Sequence, residues 1–165
     1  EGRIVEGADA HQTLLEWTGL LSKCPAGHVW VAQPNNQIVA QMGELSAETL
    51  HRKGVLGVVT DGALRDTNFI LRLGLPCWGT HYTPRDVVGL WLPTAVGESI
   101  RIEDVTIHPG DWVHGDRDGM VAIPAAHLDE VIEKGVTAMA TESKVRRAIL
   151  DGMDPQDAYL KYGKF

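Results

Sequence analysis

Arg65 and Asp66 stand side by side in the stretch GVVTDGALRDTNFI, Gly57 to Ile70, just after the pair Asp61-Gly62. Neighbours in sequence do not face each other on a helix, so the two side chains are poorly placed to satisfy one another and each calls for its own partner. The small and β-branched residues before Asp61 read as a buried strand, and helical spacing resumes within a few residues of Gly62. That puts the pair near the C-terminal end of a strand, at a helix N-terminus. Ligands of open α/β sheets collect there, and free backbone N–H groups favour anions. Asp66 has the hard oxygen donors that coordinate a divalent cation. Arg65 can hold a carboxylate or a carbonyl oxygen through charge-assisted hydrogen bonds. A plainer arrangement fits the same pattern: Asp66 as a helix cap and Arg65 as a solvated surface charge.

A second junction has a similar build. MGELSAET places Gly43, Glu44, Leu45 and Ser46 at another helix start. Glycine lets a ligand approach the backbone, and the amides that follow can bind a carboxylate. Glu44 alone is equally explained as a favourable acid in a first helical turn. Other chemistry-bearing residues fit less well. His108 and His114 in HPGDWVHGD look like part of a cupin metal motif, but no H-x-H partner motif exists. DRDG lacks the remaining ligands of a calcium loop, and a hairpin turn accounts better for Asp116 and Asp118. The histidines show no metal-ligand spacing, and the tryptophans, Trp30 and Trp78 in strands among them, read as core.

The elements around these junctions alternate. GRIVEG reads as a short strand, AHQTLLEWTGLLSKC as an amphipathic helix and AGHVWVAQ as a second strand. The second half of PNNQIVAQMGELSAETLHRKG is a helix stopped at Gly54. VLGVVTDG is apolar on both faces, the mark of a buried parallel strand. ALRDTNFILRLG gives a short helix ended by Gly74, and LPCWGTHY begins another strand. After Pro84 short strands follow one another between Gly, Pro and Asp turns, with a hairpin at Asp118-Gly119. Helical spacing returns from Ala125 to Leu150, followed by a polar tail ending DAYLKYGKF. The expectation is one α/β domain over residues 1–165: a βαβ first half, a hairpin-rich second half in a layered mixed-sheet arrangement, and a C-terminal helix free to pack elsewhere.

The formal charge of −7 argues against a nucleic-acid scaffold or a polybasic membrane surface. Cys24 and Cys77 stand far apart with no C-x-x-C, which predicts reduced thiols and a cytoplasmic setting. No apolar run reaches transmembrane length, and no secretory n-region precedes an apolar h-region. The chain opens at Glu1 on residues that already read as a strand, which predicts further residues upstream.

The stretch GELSAETLHRKGVLGVVTDGALRD resembles the signature region of the metal-dependent pyruvate aldolases of the 4-hydroxy-4-methyl-2-oxoglutarate / 4-carboxy-4-hydroxy-2-oxoadipate aldolase family. The non-catalytic relatives of that family include the regulator of ribonuclease E activity, RraA. The shared pattern is a Gly-acid-Leu turn, a spacer of about twenty residues and DGxxRD. IHPGDWVHGDRDGMVAIP is similar to the family's hairpin, and TESKVRRAILDGMDPQDAYLKY to its C-terminal helix and closing segment. The resemblance implies a layered β/β/α domain of the swivelling type, a short 2-keto acid as substrate, and a homotrimer or homohexamer. It implies that Asp66 holds Mg²⁺ or Mn²⁺, partly through waters, and that Arg65 contacts the keto oxygen of pyruvate. The amides around Gly43, Glu44, Leu45 and Ser46 would bind the carboxylate, and Glu44 would order metal-bound water. Glu142 falls where the family carries a glutamate that reaches the metal site from a neighbouring subunit. The implied chemistry is aldol cleavage of 4-hydroxy-2-keto acids to pyruvate, with oxaloacetate decarboxylation through the same enolate. A non-enzymatic regulator and a lyase for another sugar-acid-derived substrate are the competing expectations. Two departures stand out: Thr80 and His81 replace the usual Arg-Gly, near enough to the site to alter substrate choice, and the family's N-terminal segment is absent.

Overall fold

The computed structural model describes residues 1–165 and divides them into two compact units, 1–122 and 123–165. The first unit opens with β1 (Gly2–Ile4), followed by α1 (Ala10–Lys23). Asp9 caps α1, its carboxylate accepting from the Gln12 amide. Next come β2 (Val29–Ala32), β3 (Ala40–Met42), α2 (Glu44–Arg52), β4 (Gly57–Thr60), β5 (Ala63–Leu64) and α3 (Thr67–Leu73). The run continues with β6 (Cys77–Trp78), β7 (His81–Tyr82), β8 (Trp91–Pro93), β9 (Ile100–Ile102), β10 (Val105–Ile107), β11 (Trp112–Gly115) and β12 (Met120–Ile123).

Two three-stranded parallel sheets organise this unit. One has the order β2-β4-β6, the other β3-β5-β7. Every residue of β4 is buried, which is why its sequence shows no polar alternation. The chain leaves β4 at Asp61-Gly62 and enters the second sheet within three residues. Gly62 has no room for a side chain, since a Cβ there would come within 2.7 Å of Pro34 and 3.0 Å of Gln41. Three two-stranded ribbons complete the unit: β1 with β8, β9 with β10, and β11 with β12. The turn between the last two is tied by the Asp116 carboxylate, which accepts from the amides of Asp118 and Gly119. The hairpin reading of those aspartates therefore holds.

The core gathers Trp17 and Leu21 from α1, Met42 and Leu64 from the second sheet, Ala47 and Leu50 from α2, Val58 from β4, and Val87 and Trp91 from the segment after β7. Trp17 packs edge-on to Trp91 at 5.8 Å between centroids and at a tilt to Trp30 at 6.0 Å. Trp112, by contrast, is more than half exposed, so the core reading fails for that tryptophan. Cys24 and Cys77 are both free, as expected.

The second unit holds a 3-10 turn (Ala125–His127), α4 (Leu128–Leu150) and α5 (Pro155–Tyr162). The closing stretch is thus helical where a polar tail was expected. Asp154 caps it through the amides of Gln156 and Asp157, and Pro155 occupies the first turn. Of the residues of α4 only Val145 is buried. Val136, Met139 and Leu150 on α4, with Leu160 and Phe165 beyond it, are largely exposed. No helix is long and apolar enough to cross a membrane.

Candidate functional site

The second parallel sheet builds the site at the C-terminal ends of its strands. β3 ends at Met42, β5 at Leu64 and β7 at Tyr82, and Leu64 pairs with both Met42 and Tyr82. One residue further on are Gly43, Arg65 and Thr83. The Arg65 amide donates to the Met42 carbonyl at 2.9 Å and the Thr83 amide to that of Leu64 at 3.1 Å, so the strand ends are stitched together. Arg65 and Asp66 thus follow β5, a two-residue strand absent from the sequence reading, and not the long apolar strand before Asp61.

Asp66 occupies the N-cap position of α3 but does not cap it. Its backbone is left-handed, φ 55° and ψ 33°, a conformation that costs about 1 kcal/mol for a residue other than glycine and that aspartate tolerates better than most. The turn aims the carboxylate away from its own helix, and Oδ2 accepts from the Glu44 amide at 2.9 Å. Oδ1 has no partner in the chain. Arg65 is not a solvated surface charge: its side chain is 32% exposed and held between two carboxylates. Nε lies 3.6 Å from Asp66 Oδ2, and Nη1 donates to Asp86 Oδ2 at 2.7 Å. Asp86 escaped the sequence reading because it belongs to the loop after β7, where spacing along the chain carries no hint of Arg65.

Gly43 completes the arrangement. Its φ of −137° suits any residue, so conformation does not require glycine. Space does: a Cβ would stand 2.7 Å from Arg65 Nε and 2.8 Å from Asp66 Oδ2. Of the amides expected to bind a carboxylate, that of Glu44 is already engaged by Asp66. Those of Leu45 and Ser46 remain in the first turn of α2, with the helix dipole behind them. The Ser46 hydroxyl is turned inward and accepts from the Trp17 indole at 2.9 Å. The side chains of Glu44 and Leu45 are exposed.

Partial burial favours the protonated form of Asp86. Hydrogen bonds from Arg65 and from the Val88 and Val87 amides, with the guanidinium charge, outweigh it and hold the carboxyl below its usual range. Asp61 has the opposite balance. Burial raises it, only partly countered by a hydrogen bond from its own backbone, and one of its oxygens is enclosed without a partner. Both side-chain polar atoms of the buried Gln41 are likewise unpartnered.

No three His, Cys, Asp or Glu side chains converge on one point. A structural zinc centre, which needs about four protein ligands, does not fit this donor set. A hard cation such as Mg²⁺ does fit, because it keeps several waters and takes one or two carboxylates with the substrate's own oxygens. Asp66 would be its protein ligand, through the unpartnered Oδ1. Glu142, the other expected ligand, lies on α4 in the second unit and is paired with Lys164 at 2.9 Å. That lysine holds its carboxyl below the usual range. Thr80 precedes β7 and His81 opens it, pairing with Ala63 one position before the strand end that carries Arg65. They bond to Gln37 and to the carbonyls of Asp61 and Gly62, and the segment reaches the site through Thr83 and Asp86.

A mixed α/β layered domain with an Arg-Asp pair at the ends of a short parallel sheet is the class that the fold and site define. Residues 6–122, more than half of the chain, match the RraA-like family (Aldolase/RraA), and the chain belongs to that family. It is 34% identical over 121 residues to an uncharacterised protein of Methanocaldococcus jannaschii, covering 72% of this chain and 56% of that protein. It is 33% identical over 110 residues to a Halalkalibacterium halodurans protein provisionally named 4-hydroxy-4-methyl-2-oxoglutarate aldolase, covering 66% of this chain and 51% of that protein. The chain thus spans about half the length of these curated relatives. Among solved structures, an uncharacterised protein from Pseudomonas syringae superposes with a TM-score of 0.85 at 22% identity, over 98% of this chain and 73% of that one, a likeness of fold alone. Streptomyces coelicolor RraAS2, described as an unusual member of the RNase ES inhibitor RraA protein family, gives 0.73 at 26% identity over 88% and 72%.

Proposed function

We propose that the protein is a divalent-metal-dependent lyase that cleaves 4-hydroxy-2-keto acids to release pyruvate and decarboxylates oxaloacetate at the same site. The observation that carries this reading is the left-handed Asp66, whose carboxylate leaves its own helix uncapped and turns toward Glu44 with one oxygen unpartnered. A residue serving only as a cap would not be arranged so, and backbone strain of this kind collects at functional sites. The family membership and the aldolase names of relatives support the reaction class.

A divalent cation at Asp66 would supply Lewis acidity for the negative charge that carbon–carbon cleavage leaves on the pyruvate fragment. Arg65 would donate to the keto oxygen, where that charge collects, acting as a pre-organised oxyanion donor. The Leu45 and Ser46 amides would hold the carboxylate at the start of α2, and Glu44 would order water beside Asp66. Glu142 would come from a neighbouring copy in a trimer or hexamer, exchanging Lys164 for the shared site. The exposed apolar side chains of α4 and α5 support an assembly of that kind.

The competing reading is a protein-binding regulator of the RraA type, favoured by the likeness to the Streptomyces coelicolor protein. In a regulator Arg65 and Asp66 are dispensable. The discriminating experiment is pyruvate release from oxaloacetate and a series of 4-hydroxy-2-keto acids, with wild type set beside Arg65→Ala.

A further inference from the structure

Within the lyase reading, and resting on it, we infer that Asp86 is a positioning residue. It holds Nη1 of Arg65 so that the edge formed by Nε and Nη2 stays turned toward Asp66 and open to a substrate oxygen. The geometry is one-sided. Asp86 Oδ2 accepts from Nη1 at 2.7 Å, while Nε stands 3.6 Å from Asp66 Oδ2, beyond hydrogen-bond length. Nη2 has no partner in the chain. A guanidinium presents its donors as a rigid fork, so fixing one arm fixes the direction of the others.

Asp86 can hold that arm because it is itself held. Its Oδ1 accepts from the Val88 amide at 3.2 Å. Val87 is a buried core residue, and its carbonyl accepts from the amides of both Leu90 and Trp91 at 3.0 Å. The carboxylate is therefore referenced to the hydrophobic core through one residue of backbone. Without it, the nearest anion left to Arg65 is Asp66. A bidentate Arg–carboxylate pair is the strong alternative geometry. That pair would consume the donor edge meant for substrate and the oxygen meant for a cation. Asp86 keeps the two working groups apart.

The test is a double-mutant cycle with a second, activity-free readout. Asp86→Asn keeps the acceptor for the Val88 amide and removes the charge, and Asp86→Ala removes both. Acting through Arg65, Asp86→Asn should lower kcat for oxaloacetate by about ten- to a hundredfold, part of what loss of an oxyanion donor costs, with a smaller change in KM. Arg65→Ala combined with Asp86→Asn should be no slower than Arg65→Ala alone. Losses that multiply in the double variant, or wild-type kcat in both Asp86 variants, would overturn the inference. Independently, ¹⁵N-arginine NMR should show Arg65 Nη signals resolved by slow rotation in the wild type, with the Nη1 and Nη2 signals shifted in Asp86→Ala as the hydrogen-bonded edge passes from Asp86 to Asp66. Identical signals in the two would also overturn it. Should the wild type turn over no 2-keto acid, only the lyase reading falls, and the Arg65 signals decide the role of Asp86.

Discussion

The backbone amide of Glu44 donates to Oδ2 of Asp66 at 2.9 Å, tying the first residue of α2 to the residue that opens α3. The contact joins two strand-to-helix junctions 22 residues apart in sequence, and Gly43 makes it possible by leaving room for both Arg65 and Asp66. Gly43→Ala should therefore fold close to normally, since φ at this position is unstrained, with stability within about 1 kcal/mol of wild type. The added methyl meets Nε and Cγ of Arg65 and Oδ2 of Asp66, so both working side chains must shift and the damage should fall on the site. A displacement of that kind costs about a hundredfold in kcat. Thermal melting beside oxaloacetate kinetics checks both halves. A large loss of melting temperature at unchanged kcat would assign Gly43 to folding alone.

Arg65→Lys should be nearly as damaging as Arg65→Ala. A lysine ammonium is a point charge and cannot reach Asp86 while presenting a second donor edge beside Asp66. Each variant should lose about a hundredfold or more in kcat, as for other oxyanion donors. Wild-type kinetics in Arg65→Lys would reduce the site's need to one of charge.

Asp61 predicts a pH-dependent stability effect. Its carboxyl is raised above the ordinary 3.8 chiefly by burial, so the folded protein binds that proton more tightly than the unfolded chain. The penalty is absent below 3.8, grows as pH rises through the raised value, and is fully present at neutrality. Asp61→Asn should raise the melting temperature at pH 7 by about 2 °C, a modest figure because the group is only partly enclosed. The gain should vanish at pH 3.5. Melting curves across that range read the sign directly, and a stability loss at pH 7 would mean that the ionised carboxylate has a favourable partner.

How far the sequence was readable depends on the element. α1, β4 and the Asp116–Gly119 turn were legible because each follows from local rules: apolar spacing, double-sided burial and turn residues. β5 was not, since two residues carry no periodicity and only pairing with Met42 and Tyr82 defines the strand. That omission placed Arg65 and Asp66 at the end of the wrong strand while still placing them correctly at a helix N-terminus. α5 carried the Asp154-Pro155 start signal, but its polar composition masked it. Asp86 could not have been found from spacing. Thr80 and His81 stood out as a departure from the family pattern, and their hydrogen bonds run to Gln37 and to the Asp61 and Gly62 carbonyls, one register position before the strand ends that carry Arg65.

Glu142 supplies a prediction about assembly. In the folded chain its partner is Lys164, and the proposal requires it to serve a neighbour's site instead. Asp66→Ala and Glu142→Ala should each be inactive yet assemble normally. Unfolded together in equal amounts and reassembled, random closed rings would place both acids at about a quarter of the sites, and activity should return to about that fraction. No recovery, with subunit exchange confirmed by mass spectrometry, would remove Glu142 from the shared site.

The most direct measurement is pyruvate release from oxaloacetate and from several 4-hydroxy-2-keto acids, by wild type and Asp66→Ala, with Mg²⁺ and after exhaustive chelation. The account predicts release by the wild type with Mg²⁺ above the rate of Mg²⁺ alone, loss on chelation, recovery on adding Mg²⁺ or Mn²⁺, and no enzymatic release by Asp66→Ala. Full activity after chelation, wild-type rates in Asp66→Ala, or no release from any of these substrates would contradict it.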